Sequence, residues 1–116
     1  MTTITVPITQ AGAGYIVLGA ATAGRTYYLR KLVMTVDATG TFSIESNSAD
    51  DGSGSSASDK VLKTGVMPLN TGGGLVDPFT ARMGCIKTAV DHALLIKTVT
   101  SKAFGYAVVS YTGNGV

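Results

Sequence analysis

Short stretches of alternating apolar and polar residues, separated by glycine- and serine-containing turns, run through this chain. The clearest is residues 3–9, in which Ile4, Val6 and Ile8 share one parity while Pro7 and the threonines have the other. Because side chains alternate between the two faces of a strand, this pattern predicts a β-strand with one buried face. No long stretch has apolar residues at helical spacing, and the 15 glycines disfavour helices further. The chain is therefore expected to be all-β.

The longest strand candidate is residues 26–37. Its members of apolar parity, which we expect to face the core, are Tyr28, Leu32, Met34 and Val36. Arg30 has the same parity, so it must extend its charge to solvent, pair with a carboxylate or mark a β-bulge. Tyr27 and Tyr28 have opposite parities, which predicts one core ring and one surface ring.

A turn at residues 38–40 predicts a hairpin that joins this strand to residues 41–47. In the second strand Phe42 and Ile44 are expected to face inward, and Ser43 and Glu45 outward. Further short strands follow at regular spacing, which is typical of a sandwich or a small barrel. Pro7, Pro68 and Pro78 cannot donate to a strand ladder, and this places their segments at sheet edges.

These segments predict a single domain over residues 1–116, an antiparallel β-sandwich of about eight short strands. Residues 1–24 are expected to form an N-terminal arm or extra strands. Residues 48–59 are rich in Ser, Asp and Gly and have nothing large to bury, so we expect a flexible, exposed loop.

Few residues are suited to catalysis or metal binding. The sole histidine, His92, lies in residues 89–93, which have the composition of a hairpin turn, so we expect a turn residue and not a general base. The single cysteine, Cys85, cannot form an internal disulfide or a Cys-x-x-Cys metal pair, and a small buried hydrophobe is expected. Residues 50–59 lack the spaced acids and terminal glutamate of a calcium loop. We therefore expect no enzymatic activity, no cofactor and no metal.

Charge and hydropathy argue against two classes of partner. The nine Lys and Arg are scattered without a basic cluster, which disfavours nucleic acid. No run approaches the roughly 18 apolar residues of a membrane helix, and the N-terminus lacks the pattern of a secretory signal. Only 14% of residues are charged, against about 25% in an average globular chain. We therefore expect a protein partner to cover part of the exterior.

Two groups of residues are candidates for contact. Pro78, Phe79, Arg82 and Met83 lie in a predicted loop and are of types enriched in protein interfaces, the alternative being that they pack beneath that loop. Four strand tyrosines offer a stacking platform for sugars or bases, the alternative being a core role: Tyr27, Tyr28, Tyr106 and Tyr111.

The order of short elements resembles that of small structural proteins from tailed-phage virions. The elements that carry this likeness are residues 28–33, 39–44, 62–69, 73–79, 84–88, 93–97 and 104–109. The resemblance covers roughly residues 25–112, and residues 1–24 and 48–59 depart from it.

The resemblance implies an antiparallel jelly-roll sandwich, commonly a homotrimer, with no catalytic residues. The leading hypothesis is a capsid decoration or cement protein that bridges capsomers. It implies the major capsid protein or another virion protein as partner, and the virion, assembled in the host cytoplasm, as location. The alternative is a jelly-roll module of a fibre, spike or adaptor that binds a host glycan or another virion protein.

Overall fold

The computed structural model describes residues 2–9, 14–54, 60–62, 67–69, 74–77, 86–99 and 102–113, with 60–62, 67–69 and 74–77 described by their backbone alone. Every regular element in this part of the chain is a β-strand. The strands are β1 (Thr2–Thr9), β2 (Gly14–Gly19), β3 (Thr26–Val36), β4 (Gly40–Asn47), β5 (Lys60–Leu62), β6 (Met67–Leu69), β7 (Gly74–Asp77), β8 (Ile86–Lys87), β9 (Ala93–Val99) and β10 (Ala103–Thr112).

The strands form two antiparallel sheets. Sheet A has the order β1-β10-β3-β7, with β8 also paired to β3, and sheet B has the order β2-β9-β4-β5, with β6 also paired to β4. β7 and β8 pair with successive parts of one edge of β3, and β5 and β6 do the same along β4. The ten strands therefore occupy four positions in each sheet. This confirms the prediction of an antiparallel β-sandwich of about eight strands.

The pairing order is that of a long antiparallel ribbon that has been rolled up. β1 pairs with β10, β2 with β9, β3 with β7 and β8, and β4 with β5 and β6. The pairs β10–β3 and β9–β4 then close the ribbon into two sheets. This is a jelly-roll-like order, and it sends most consecutive strands to opposite sheets.

Two predicted hairpins are wrong for this reason. β3 lies in sheet A and β4 in sheet B, so residues 37–39 carry the chain across the sandwich and do not join paired strands. Residues 88–92 likewise connect β8 of sheet A to β9 of sheet B. Residues 90 and 91 form a turn and residues 37–39 form a bend, but both segments link the two layers.

The inward faces of both sheets form one hydrophobic core. Its buried members are Ile8, Leu18, Tyr27, Leu29, Leu32, Met34, Val36, Phe42, Ile44, Leu94, Ile96, Ala103, Ala107 and Val109. Phe42 and Ile44 face inward as their parity predicts. Interdigitation of these apolar side chains between the sheets supplies the main stabilisation of the fold.

Arg30 marks a β-bulge, which is one of the three outcomes expected for it. The consecutive β10 residues Val108 and Val109 pair with Lys31 and Leu29, so Arg30 is the extra residue of β3. Its Nε donates a hydrogen bond to Ser110 Oγ at 3.3 Å.

The bulge reverses the parity of β3 along its length. Tyr27 and Leu29 face the core before it, and Leu32 does so after it. The expectation that Tyr28 faces the core is therefore wrong. It assumes strict alternation along β3, and the extra residue Arg30 interrupts that alternation. Tyr27 is 3% exposed and Tyr28 is half-buried, which confirms that one ring is in the core and the other nearer the surface.

β1 and β2 are the edge strands on one side of the sandwich, one in each sheet. Pro7 lies in β1, and Pro68 lies in β6, which among the described strands pairs only with β4. Both edge predictions are confirmed. Proline has no N–H to donate to a neighbouring strand, and at a sheet edge no such donor is needed on the open side. Pro78 lies outside the described residues.

Candidate binding surface

The contact residues predicted from the sequence, Pro78, Phe79, Arg82 and Met83, lie outside the described residues, as does Cys85. The described side chains that could contact a partner therefore lie elsewhere in the chain. Three polar clusters and one open sheet face stand out.

The first cluster holds His92 in place. Its Nδ1 lies 2.9 Å from Ser46 Oγ, and Ser46 Oγ also accepts a hydrogen bond from the Ala89 N–H at 3.1 Å. Ser46 is 0% exposed and His92 is 7% exposed, so a substrate has no access to this serine and histidine pair. The pair braces the 88–92 turn against β4, in agreement with the turn role predicted for His92.

The same turn is fastened to the connection between β2 and β3. Asp91 has a left-handed backbone with φ of 68°, and its Oδ1 accepts a hydrogen bond from the Gly24 N–H at 2.6 Å. The Asp91 N–H in turn donates to the Arg25 carbonyl oxygen at 3.0 Å. Tyr27 and Thr88 exchange two more bonds of 2.9 Å, from the Tyr27 N–H to Thr88 Oγ1 and from the Thr88 N–H to the Tyr27 carbonyl. This end of the sandwich is a structural clamp.

The Arg25 side chain contacts the rings of Tyr27 and Tyr111, two of the four tyrosines that are candidates for ligand stacking. Its guanidinium lies 4.1 Å from the centre of the Tyr111 ring and donates to Tyr27 Oη at 3.3 Å. The two rings also meet edge to face, with centroids 5.9 Å apart. Tyr27 and Tyr111 therefore belong to an internal cation–π stack, and Tyr28 and Tyr106 remain as the surface rings.

The second cluster is built on Asn47, which is 0% exposed. Its Oδ1 accepts hydrogen bonds from the N–H groups of Ala49 at 2.9 Å and Gly54 at 3.1 Å. Its Nδ2 donates to the Gly54 carbonyl and to Glu45 Oε1, both at 3.2 Å. One side chain thus closes residues 48–54 into a loop at the end of β4. Residues 55–59 of the predicted flexible loop lie outside the described residues.

The third cluster lies on the outer face of sheet B. Glu45 has outward parity, as predicted, yet it is 0% exposed, and it is hydrogen-bonded to Tyr15 and to Asn47 Nδ2. Burial raises the pKa of Tyr15, and the charge of Glu45 and the hydrogen bond to it raise that pKa further. Lys97 Nζ lies 5.7 Å from the centre of the Tyr15 ring. No local sequence signal marks this cluster, since it depends on the pairing of β2, β9 and β4.

The outer face of sheet A is open and is here called the sheet A face. Its outward side chains are Thr3, Thr5, Pro7, Thr9, Tyr28, Lys31, Val33, Thr35, Lys87, Phe104, Tyr106, Val108 and Ser110. Phe104 is 40% exposed and Tyr106 is 36% exposed, and both neighbour the exposed Pro7 and Thr9 of β1. Aromatic rings exposed side by side on a sheet are typical of a contact surface.

Three cations lie on or beside this face, each near an aromatic ring. Lys31 Nζ lies 5.7 Å from the Tyr106 ring centre, and Lys87 Nζ lies 5.8 Å from that of Tyr28. The Arg30 guanidinium, displaced by the bulge, lies 5.5 Å from the same Tyr28 ring. The rings hold the long cationic side chains along the sheet surface.

The acids with described side chains lie elsewhere. Glu45 is on the other sheet, Asp50 and Asp51 are in the 48–54 loop, and Asp91 is in the 88–92 turn. Asp37 follows the end of β3, where its Oδ1 accepts the Lys102 N–H at 2.8 Å. Among the described side chains, the sheet A face therefore carries cations and no acid.

Among the described residues, no group of three or more His, Cys, Asp or Glu side chains is arranged to hold a metal ion. The same part of the chain contains no helix long and apolar enough to cross a membrane. Comparisons with protein-family models, with curated proteins and with solved structures find no match. By its fold and its surface, the protein is a jelly-roll-like β-sandwich whose sheet A face is open and carries aromatic and cationic side chains.

Proposed function

We propose that this chain is a structural protein of a tailed-phage virion, which decorates the capsid and cements neighbouring capsomers. The observation that carries the proposal is the sheet A face, where the rings of Phe104 and Tyr106 are exposed side by side. The resemblance of the order of short sequence elements to that of small tailed-phage virion proteins supports a place in the virion. The low charged fraction of 14% is in keeping with a surface that a partner covers.

The proposed action is mechanical. A rigid sandwich placed across a capsomer junction buries apolar surface on both neighbours, and each must lose that contact before the shell can expand or open. The proposal gives the chain no catalytic role, since its one histidine is used to brace the 88–92 turn. The major capsid protein is the proposed partner, and the virion, assembled in the host cytoplasm, is the proposed location.

A homotrimer is part of the same proposal. The edge strands β1 and β2 each present one backbone edge that no described strand covers, and a symmetric neighbour would protect those edges. Sedimentation of the free protein at micromolar concentration is expected to give a trimer. A monomer at every concentration tested would remove this part of the proposal.

The test of cementing uses particles that lack the protein. Deletion particles are expected to lose DNA at a lower temperature, and after milder osmotic shock, than complete particles. Addition of the purified protein is expected to restore resistance, and a heat-denatured preparation serves as the control. Deletion particles that are as resistant as complete ones would overturn the proposal.

The half-buried ring of Tyr28 and the exposed ring of Tyr106 favour one second candidate, a fibre or adaptor module that binds a host glycan. Aromatic faces stack on sugar rings, and the adjacent lysines would suit an anionic sugar. A glycan array probed with the folded protein is expected to give a signal under this candidate. Silence on the array would exclude it for the glycans displayed.

A further inference from the structure

We infer that the sheet A face is the capsid-binding surface and that its partner is an acidic patch of the capsid protein. This inference rests on the proposed function, to which it adds the docking surface and the chemistry of the partner. It depends on the positions of charged side chains, of exposed aromatic rings and of buried side chains on the two outer faces of the described molecule.

Charge complementarity is the first step. Lys31 and Lys87 lie on this face, whereas the acids whose side chains the structure describes lie on sheet B, in the end loops or past the end of β3. A surface of one sign attracts a partner of the other sign and rejects partners of its own sign. An acidic surface is therefore the complement of this face.

The cations are placed for an intermolecular role. Lys31 and Lys87 lie over aromatic rings at 5.7 and 5.8 Å, and this arrangement restrains their stems along the sheet. A restrained cation loses less conformational entropy when it pairs with a carboxylate of a partner. The neighbouring Phe104 and Tyr106 would exclude water from such pairs.

A second copy of this chain is a poor occupant in face-to-face symmetry. A two-fold contact would place the same patch of each copy against the other, so Lys31 and Lys87 would meet cations of the same kind. The outer face of sheet B differs, because there Glu45 is buried and hydrogen-bonded to Tyr15, and the partly buried Lys97 lies near the Tyr15 ring. Sheet A is thus the face left for a different, acidic protein.

The experiment measures binding of purified protein to deletion particles by co-sedimentation. Lys31→Glu and Lys87→Glu are each expected to weaken binding by about tenfold or more. Lys102→Glu makes the same charge change at an exposed site beyond the sheet and is expected to stay within about twofold of the unmodified protein. Phe104→Ala is expected to weaken binding by about tenfold, against little change for Val99→Ala, which removes a comparably exposed side chain from sheet B.

Circular dichroism and thermal unfolding establish first that each variant is folded. Binding of the unmodified protein should also weaken as salt increases, and Lys31→Glu should reduce this dependence. If the unmodified protein binds but the Lys31 and Lys87 variants bind equally well, the inference is overturned and cementing stands. If the unmodified protein does not bind deletion particles, the proposed function fails and the inference fails with it. Equal losses for Lys31→Glu and Lys102→Glu, or a glycan signal that Lys31→Glu abolishes, would also overturn an acidic capsid patch as the partner.

Discussion

Replacement of Asn47 by alanine is expected to release the 48–54 loop and to destabilise the whole domain. Four hydrogen bonds would be lost, two accepted from the N–H groups of Ala49 and Gly54 and two donated to the Gly54 carbonyl and Glu45 Oε1. Asn47 is 0% exposed, so solvent water does not reach the groups that would lose their hydrogen-bond partner. The loss is therefore more than that of a surface polar group.

The magnitude follows from the same contacts. If each of these bonds contributes slightly less than 1 kcal/mol net, Asn47→Ala lowers the free energy of unfolding by about 3 kcal/mol. That is a large part of the roughly 5–15 kcal/mol that holds a typical domain together. For a domain of this length it corresponds to a fall in Tm of about 12 °C.

Reversible urea unfolding followed by circular dichroism measures the change, and Ser48→Ala is the matched control. Ser48 is exposed and adjacent, so its truncation is expected to cost less than about 0.5 kcal/mol. Amide hydrogen exchange should in addition show loss of protection at Ala49 and Gly54. A loss of stability no greater than that of Ser48→Ala, or unchanged protection of both amides, would refute the assignment of Asn47 as the loop closure.

Three further predictions concern the core, a glycine and a tyrosine. Leu29→Ala, at a fully buried site, should lower the free energy of unfolding by about 3 kcal/mol, whereas Val90→Ala, at a site 56% exposed, should change it by less than about 0.5 kcal/mol; equal effects in urea would contradict the core assignment. Gly105→Ala should cost at least about 2 kcal/mol more than Gly14→Ala, since the two glycines have similar φ of 146° and 142° but only at Gly105 would a methyl group overlap the Val33 carbonyl oxygen; similar losses would show that this close approach is absent. Because the pKa of Tyr15 is raised by burial and by Glu45, its contribution to stability is complete below the ordinary tyrosine pKa of about 10 and is lost as pH rises through the higher pKa of the folded state. Tyr15→Phe should accordingly remove one phenolate that titrates above about pH 10 by absorbance, and removal of a group that titrates lower would contradict the placement of Tyr15 beside Glu45.

The candidate surface was only partly accessible to sequence reasoning. Tyr28 and Tyr106 were among the rings considered for ligand stacking, because their residue type suggests contact, and both lie on the sheet A face. Lys31 and Lys87 carried no such signal, since they are 56 residues apart in the chain and the β3–β8 pairing is what brings them to one face. The burial of Glu45 was missed for the same reason, because its hydrogen-bond partner Tyr15 lies on a different strand.

The sequence by itself determined the properties that depend on a few neighbouring residues. Alternation fixed the strand class and the inward direction of Phe42 and Ile44, and proline fixed the edge positions of β1 and β6, because a missing N–H acts locally. Arg30 has the apolar parity, which showed that β3 is irregular there. The sequence did not decide between a β-bulge, a paired carboxylate and a charge that extends to solvent. Only the tertiary structure decided that residues 37–39 cross between sheets, because a short turn fits a hairpin or a crossing equally well. The choice depends on which distant strands pair, and in this fold those pairs join the two ends of the chain, β1 to β10 and β2 to β9.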